Sequence, residues 1–150
     1  MDPVRPWLFV GKFRDTLNPK NLKANNIEAM LQFAELVEYP GIVSFHLAVE
    51  DGIPLTTADF QRGMRFILQH HQSGKKVLIA CGAGISRSVI FTIAALRETE
   101  GTALLTAYQE VVNAHIEALP HPALWKSLCT HYQENIPYIQ VLRLYNSVTS

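Results

Sequence analysis

Only two cysteines, Cys81 and Cys129, occur in the 150 residues. That is too few for a disulfide framework and points to a reducing compartment, the cytoplasm. No run approaches the ~18 consecutive apolar residues that a membrane-spanning helix requires. The amino-terminal MDPVRPWLFVGK also lacks the layout of a signal peptide. An excess of charge of either sign is missing too: thirteen basic and thirteen acidic side chains cancel. That balance argues against broad electrostatic binding to nucleic acid or to an acidic membrane. No internal repeat, low-complexity tract or shift in composition marks a boundary. What is plentiful is apolar residues, 48% of the chain, enough for residues 1–150 to form one domain around its own core.

Strand and helix signals alternate along the chain. WLFVG (7–11) is a short apolar run closed by glycine, a first strand. Asn18-Pro19 pairs an N-cap residue with proline at the first helical position and opens a short helix to about Ala24. IEAMLQF (27–33) has the length of a strand, although its Ala, Met, Leu and Glu suit a helix as well. IVSFHLAV (42–49), rich in β-branched and aromatic residues, predicts a strand, and EDGIP (50–54) supplies a turn. Thr56 or Thr57 caps a helix over 57–73, whose Phe60, Met64, Ile67 and Leu68 fall at helical spacing. KKVLIA (75–80) reads as a buried strand, and the segment from Ser86, apolar nearly all round, as a central helix. Gly101-Thr102 starts a further helix. Pro120 and Pro122 frame the entry to a helix containing Leu124, Trp125 and Leu128, which Pro137 interrupts, and residues 138–150 fit either another helix or a packed tail. The alternation predicts an α/β fold with a central, mostly parallel sheet flanked by helices.

The densest chemistry lies in VLIACGAGISRS (77–88). Strand, glycine-bearing turn and helix N-terminus together make an anion cradle, because successive backbone N–H groups converge and the helix dipole adds favourable charge. Gly82 and Gly84 let the backbone approach a ligand closely. Arg87 can grip two phosphate oxygens with its planar fork. Cys81 stands in the same field, where a helix N-terminus and a cation favour the thiolate. A nucleophile and an anion cradle on one loop point to phosphoryl transfer onto sulfur, with the N–H groups of Gly82, Ala83, Gly84, Ile85, Ser86 and Arg87 stabilising the equatorial oxygens. Ser88 offers a hydroxyl to relieve the thiolate when it is later expelled, and Ser86 suits hydrogen bonds that shape the loop.

The whole phrase, an apolar strand, C-G-A-G-I-S-R-S and an apolar helix, resembles the C-x5-R-[ST] loop of the cysteine-dependent protein tyrosine phosphatase superfamily. Within it the GISRS ending is most similar to the small dual-specificity branch. WLFVG is similar to that family's first strand and AYQEVVNAHIEALPHPALWKSLCTHY to its closing helices. The resemblance implies that fold, hydrolysis of phosphate monoesters through a phosphocysteine intermediate, and no cofactor or metal. It implies phosphorylated protein as substrate, phosphotyrosine first, with phosphoserine and phosphothreonine open to a shallow pocket. It also implies an aspartate general acid about thirty residues before the cysteine. Asp51, in LAVEDGIP, stands in that position, with Glu50 and Asp59 as substitutes. One departure stands out: the family carries histidine immediately before the nucleophile, and here that residue is Ala80.

Ala80 motivates a rival reading, a catalytically weak phosphate-binding module that recognises phosphorylated partners. Retention of Cys81 and Asp51 weighs against it, since binding alone requires neither. Sulfur transfer or arsenate reduction by a thiol loop fits the arginine spacing and Ser88 less well. The six histidines do not form a zinc pattern with Cys129. His70-His71 reads as a solvated helix end, and Cys129 as core packing. Lys12 and Arg14 read as a solvated loop that could also flank an anion pocket.

Overall fold

The computed structural model describes all of residues 1–150. Five strands form one sheet in the order β1-β2-β5-β3-β4. They are β1 (Asp2–Arg5), β2 (Leu8–Lys12), β3 (Ile27–Gln32), β4 (Val43–His46) and β5 (Lys76–Cys81). Only β1 runs antiparallel to its neighbour; the other pairings are parallel. The edge strand β1 adds an element before the expected first strand, and its Pro3 lacks a ladder donor. At a sheet edge that loss is tolerated. β3 resolves the ambiguity of residues 27–33 in favour of a strand. The expected strand over 42–49 is shorter, ending at His46. Leu47 adds one more bond, to the Gln32 carbonyl at 2.9 Å, and the chain then turns, Val49 N–H bonding back to the Leu47 carbonyl.

The chain also forms seven helices: α1 (Phe13–Thr16), α2 (Pro19–Ala24), α3 (Thr57–Gln72), α4 (Arg87–Glu100), α5 (Leu104–Ala114), α6 (Pro122–His131) and α7 (Tyr138–Thr149), of which α6 packs on α4 and α7 on α5. Local chemistry sets several boundaries. The Asn18 side chain accepts the Asn21 N–H at 3.1 Å, and Thr56 accepts the Asp59 N–H at 3.1 Å, so Thr56 is the cap of α3. Gly101 does not open a helix as expected. With φ of 71° it closes α4, its N–H bonded to the Arg97 carbonyl, and α5 begins three residues later. Pro137 does not interrupt α6, which already ends at His131; it stands at the N-cap of a separate helix, α7, where a missing N–H costs nothing.

α4 is the central helix, with every residue from Ser88 to Leu96 buried. β5 lies in the middle of the sheet and its side chains alternate between faces. Cys81 joins the large core cluster with α3, α4 and α5, while Ala80 belongs to a smaller one with Phe9, Leu22, Met30 and Leu78. The strand carrying the thiol therefore ends between two covered faces, in register with Lys12 of β2.

Candidate active site

Five residues separate the end of β5 at Cys81 from the start of α4 at Arg87. Contacts from distant segments hold the intervening carbonyls. The Gly82 carbonyl accepts the Phe13 N–H at 3.2 Å, and the Ile85 carbonyl accepts the Leu119 N–H at 2.9 Å. The Gly84 carbonyl lies 2.7 Å from His115 Nε2. Ser86 shapes the loop through its hydroxyl, which accepts the His121 N–H at 2.8 Å. In a trans peptide the N–H points opposite to the C=O, and the chain contains no cis bond. Fixing those three carbonyls on protein donors thus turns the N–H groups of Ala83, Ile85 and Ser86 the other way. None of the amides from Gly82 to Ser86 donates to a backbone acceptor. A run of unpaired donors ending at a helix N-terminus is an arrangement that can receive an anion. Gly84 is required where it stands: its φ is 70°, and a Cβ there would lie 2.8 Å from Lys12 Cγ and 3.0 Å from the Gly11 carbonyl oxygen.

Cys81 is only 3% exposed, and its Sγ lies 3.1 Å from the Ser88 hydroxyl, itself fully buried in the first turn of α4. Arg87 Nη1 donates to two carbonyls, Val49 at 3.0 Å and Phe33 at 3.3 Å. Its Nη2 lies beside Gly82, 3.4 Å from where a Cβ would be. Of the five guanidinium N–H bonds, those on Nε and Nη2 have no protein acceptor and remain for an oxyanion. Asp51 is exposed on the turn that follows β4, two residues beyond the carbonyl that Arg87 holds. Its neighbour Gly52 sits against the His121 ring, a Cβ there being 3.4 Å from Nε2. Arg87 thus holds the chain just before the Asp51 turn, and the His121 ring, whose backbone N–H bonds to Ser86, packs beside that turn. Tyr138 lies on the same flank, its hydroxyl donating to the Pro120 carbonyl at 2.6 Å. Burial first, and the charge of Asp51 second, push its pKa up. The substitute Asp59 is already engaged with Arg62 on α3.

Sequence reasoning missed part of this site. His115, buried at the end of α5, contacts both the loop and Asp2 of β1. Lys12 is not a plain solvated side chain: its stem covers Gly84 and its ammonium pairs with Glu117 at 2.7 Å. Arg14 is exposed. The histidines read as a solvated helix end are also corrected. His70 is buried and its Nδ1 has no partner, while His71 stacks on Trp7 with ring centroids 3.7 Å apart. His70 packs on Phe66 of the same helix, with ring centroids 4.5 Å apart. Cys129 is buried in the core, as expected, and burial pushes its thiol pKa up.

Comparison with known proteins follows the same lines. The family model described as "Dual specificity phosphatase, catalytic domain" matches residues 8–134. Dual specificity protein phosphatase 1B of Arabidopsis thaliana is 29% identical over 132 residues, covering 85% of this chain and 79% of that protein. Dual specificity protein phosphatase 15 of Mus musculus is 30% identical over 118 residues, covering 76% of this chain and 48% of that one. Dual specificity protein phosphatase 22 of Homo sapiens is 27% identical over 97 residues, 63% of this chain and 53% of the other. The chain thus spans about half the length of the last two. Among solved structures, human DUSP28 superposes with a TM-score of 0.82 at 23% identity, over 89% of this chain and 96% of that one. DUSP15 gives 0.81 at 21% identity, over 97% and 92%. At these identities the two structures speak for the fold.

Proposed function

The chain belongs to the dual specificity phosphatase family, and from that premise we propose that its 150 residues act as one catalytic domain working through Cys81, Arg87, Asp51 and Ser88. The observation that carries this reading is the set of unpaired amides from Gly82 to Ser86 around a thiol 3.1 Å from a buried hydroxyl. A phosphate monoester enters with its nonbridging oxygens on the amides of 82–87 and on Nε and Nη2 of Arg87. The Cys81 thiolate attacks phosphorus. As the P–S bond forms, the P–O bond to the leaving group breaks, and the Asp51 carboxyl gives its proton to the departing oxygen. Water then attacks the phosphocysteine and Asp51 takes its proton. The P–S electrons return to sulfur, where the Ser88 O–H donates to the thiolate, and inorganic phosphate leaves.

The substrate class is phosphorylated protein, phosphotyrosine before phosphoserine and phosphothreonine. Cys81 is buried while the rim residues Gly82, Ala83 and Ile85 are exposed, so a longer phosphoryl-bearing side chain reaches the sulfur more easily. Two free cysteines suit a reducing compartment, the cytoplasm.

The test is steady-state hydrolysis of a small aryl phosphate from about pH 5 to about pH 8, spanning the range over which a carboxyl and a thiol can work as acid and nucleophile. Cys81→Ser abolishes turnover. Asp51→Asn lowers kcat by about 10²-fold or more, the usual contribution of a general acid, and flattens the basic arm of the profile. Undiminished turnover by Cys81→Ser would exclude the mechanism.

A further inference from the structure

We propose that His115 is a positioning residue whose imidazolium form holds the 82–87 loop in its anion-binding shape. The inference rests on the reading of that loop as the phosphoryl cradle. His115 is 3% exposed, and both of its ring nitrogens face acceptors. Nε2 lies 2.7 Å from the Gly84 carbonyl oxygen and Nδ1 lies 2.6 Å from Asp2 Oδ2. A neutral imidazole carries one N–H and can satisfy only one of these contacts. At the other, two lone pairs would face each other inside hydrogen-bond distance. Both contacts are satisfied only when a proton occupies the Nδ1–Asp2 contact as well as Nε2. Placed on the ring, that proton gives both nitrogens an N–H and leaves Asp2 Oδ2 as the acceptor.

The remaining charges around the ring are Glu117, from the segment after α5, and Lys12, from the end of β2, which pair with each other. Lys12 first, with the charge of His115 adding, holds the Glu117 carboxyl low. Arg5, the cation of β1, is occupied by Glu100 and Glu110, and the amino-terminal ammonium of Met1, next to Asp2, pairs with Asp15. The ring thus faces one carboxylate directly and a balanced pair beyond it, a setting that accepts a buried cation.

The consequence for the loop follows from peptide geometry. The Nε2 proton fixes the Gly84 carbonyl, and the same peptide plane then aims the Ile85 N–H to the opposite side. Of the three loop carbonyls fixed by protein donors, those of Gly82 and Ile85 are held by backbone N–H groups that do not titrate. Only Gly84 depends on a titrating donor. Where the family resemblance places a histidine, directly before the nucleophile, this chain has Ala80 in an apolar cluster. The imidazole that touches the loop belongs instead to His115, the residue that caps α5.

The test separates this inference from the cradle reading by using sulfate, a dianion whose charge stays constant across the range examined. Sulfate binding to the Cys81→Ser protein is measured by calorimetry from about pH 6 to about pH 9, bracketing ordinary imidazole titration. The same measurement is made on that protein carrying His115→Arg, His115→Gln or Arg87→Ala. Affinity is expected to fall about tenfold or more with rising pH when His115 is present, the worth of one charge-assisted hydrogen bond. It should stay flat in His115→Arg, whose charge persists, and stay low throughout in His115→Gln.

Nitrogen NMR of the intact wild type provides a readout that does not depend on any variant folding. It should show both His115 ring nitrogens protonated at about pH 6. Sulfate that binds, is lost in Arg87→Ala and has the same pH dependence in the His115 and His115→Arg proteins would overturn the His115 inference alone. Sulfate that binds to none of them, or binds regardless of Arg87, would overturn the cradle reading. A neutral His115 ring at about pH 6 would also overturn the inference.

Discussion

Replacing Gly84 by alanine tests the loop geometry more sharply than any charged substitution, because it adds one methyl group and removes nothing. Two costs follow from the structure. The first is conformational: φ is 70°, and an L-residue held in that region loses roughly 1–2 kcal/mol. The second is steric. The new Cβ would lie 3.0 Å from the Gly11 carbonyl oxygen, which the β2 backbone fixes, and 2.8 Å from Lys12 Cγ, whose ammonium Glu117 restrains at 2.7 Å. Overpacking of this kind costs about 1–3 kcal/mol. Together they predict a loss of about 2–5 kcal/mol, or roughly 4–20 °C in Tm for a chain of this size. Gly74→Ala supplies the control, since its φ is 77° but nothing lies within 4 Å of its Cβ position. It should lose only the conformational part, about 1–2 kcal/mol. Urea denaturation followed by tryptophan fluorescence gives both values, and aryl phosphate hydrolysis gives the functional one. Moving the Gly84 peptide misaims the Ile85 N–H, so kcat should fall about 10²-fold in Gly84→Ala, as when one oxyanion donor is lost, and not at all in Gly74→Ala. Equal stability losses in the two variants, with kcat unchanged, would refute the argument that the loop's shape depends on that close approach.

Two further predictions test other parts of the structure. Ser88→Ala removes the hydroxyl 3.1 Å from Sγ and should slow breakdown of the phosphocysteine about tenfold while leaving its formation nearly intact, seen as a larger pre-steady-state burst with lower steady-state kcat. Arg5 holds Glu100 below the usual carboxylate range, chiefly through their hydrogen bonds. A carboxylate with a depressed folded-state pKa contributes its stability above its unfolded pKa and loses it as the pH falls through the folded value. Arg5→Gln should therefore cost about 0.5–1 kcal/mol at neutral pH, solvent screening included. The difference from wild type should vanish in urea titrations run below the carboxylate range.

How much of this could be read in the sequence depended on how local the determining chemistry is. The strand, loop and helix around Cys81 were legible because turn glycines, the arginine and the apolar flanks lie within a dozen consecutive residues. The same holds for the capped starts of α2 and α3. Gly101 misled because glycine before threonine can signal the end of one helix or the approach to the next, and only the left-handed φ decides. β1 was hidden by Pro3, whose cost depends on whether its strand lies at an edge. The supports of the loop were invisible for a different reason. Phe13, His115 and Leu119 act on it through contacts made only after the sheet forms, and Asp2 reaches His115 across 113 residues. Nothing in NAHIEALP marks its histidine as different from the other five. The expectation that Arg87 binds an anion came from the sequence, but its hold on the Phe33 and Val49 carbonyls belongs to tertiary structure alone.

The central claim is that phosphorus passes through the sulfur of Cys81. It is tested most directly by rapid-quench mass spectrometry of the Asp51→Asn protein mixed with a small aryl phosphate, since loss of the acid and base slows release of the intermediate. The account predicts one added phosphoryl group, localised to the peptide containing Cys81 and absent from Cys81→Ser. Turnover with no adduct on that peptide at any time point, or an adduct that persists in Cys81→Ser, would contradict it.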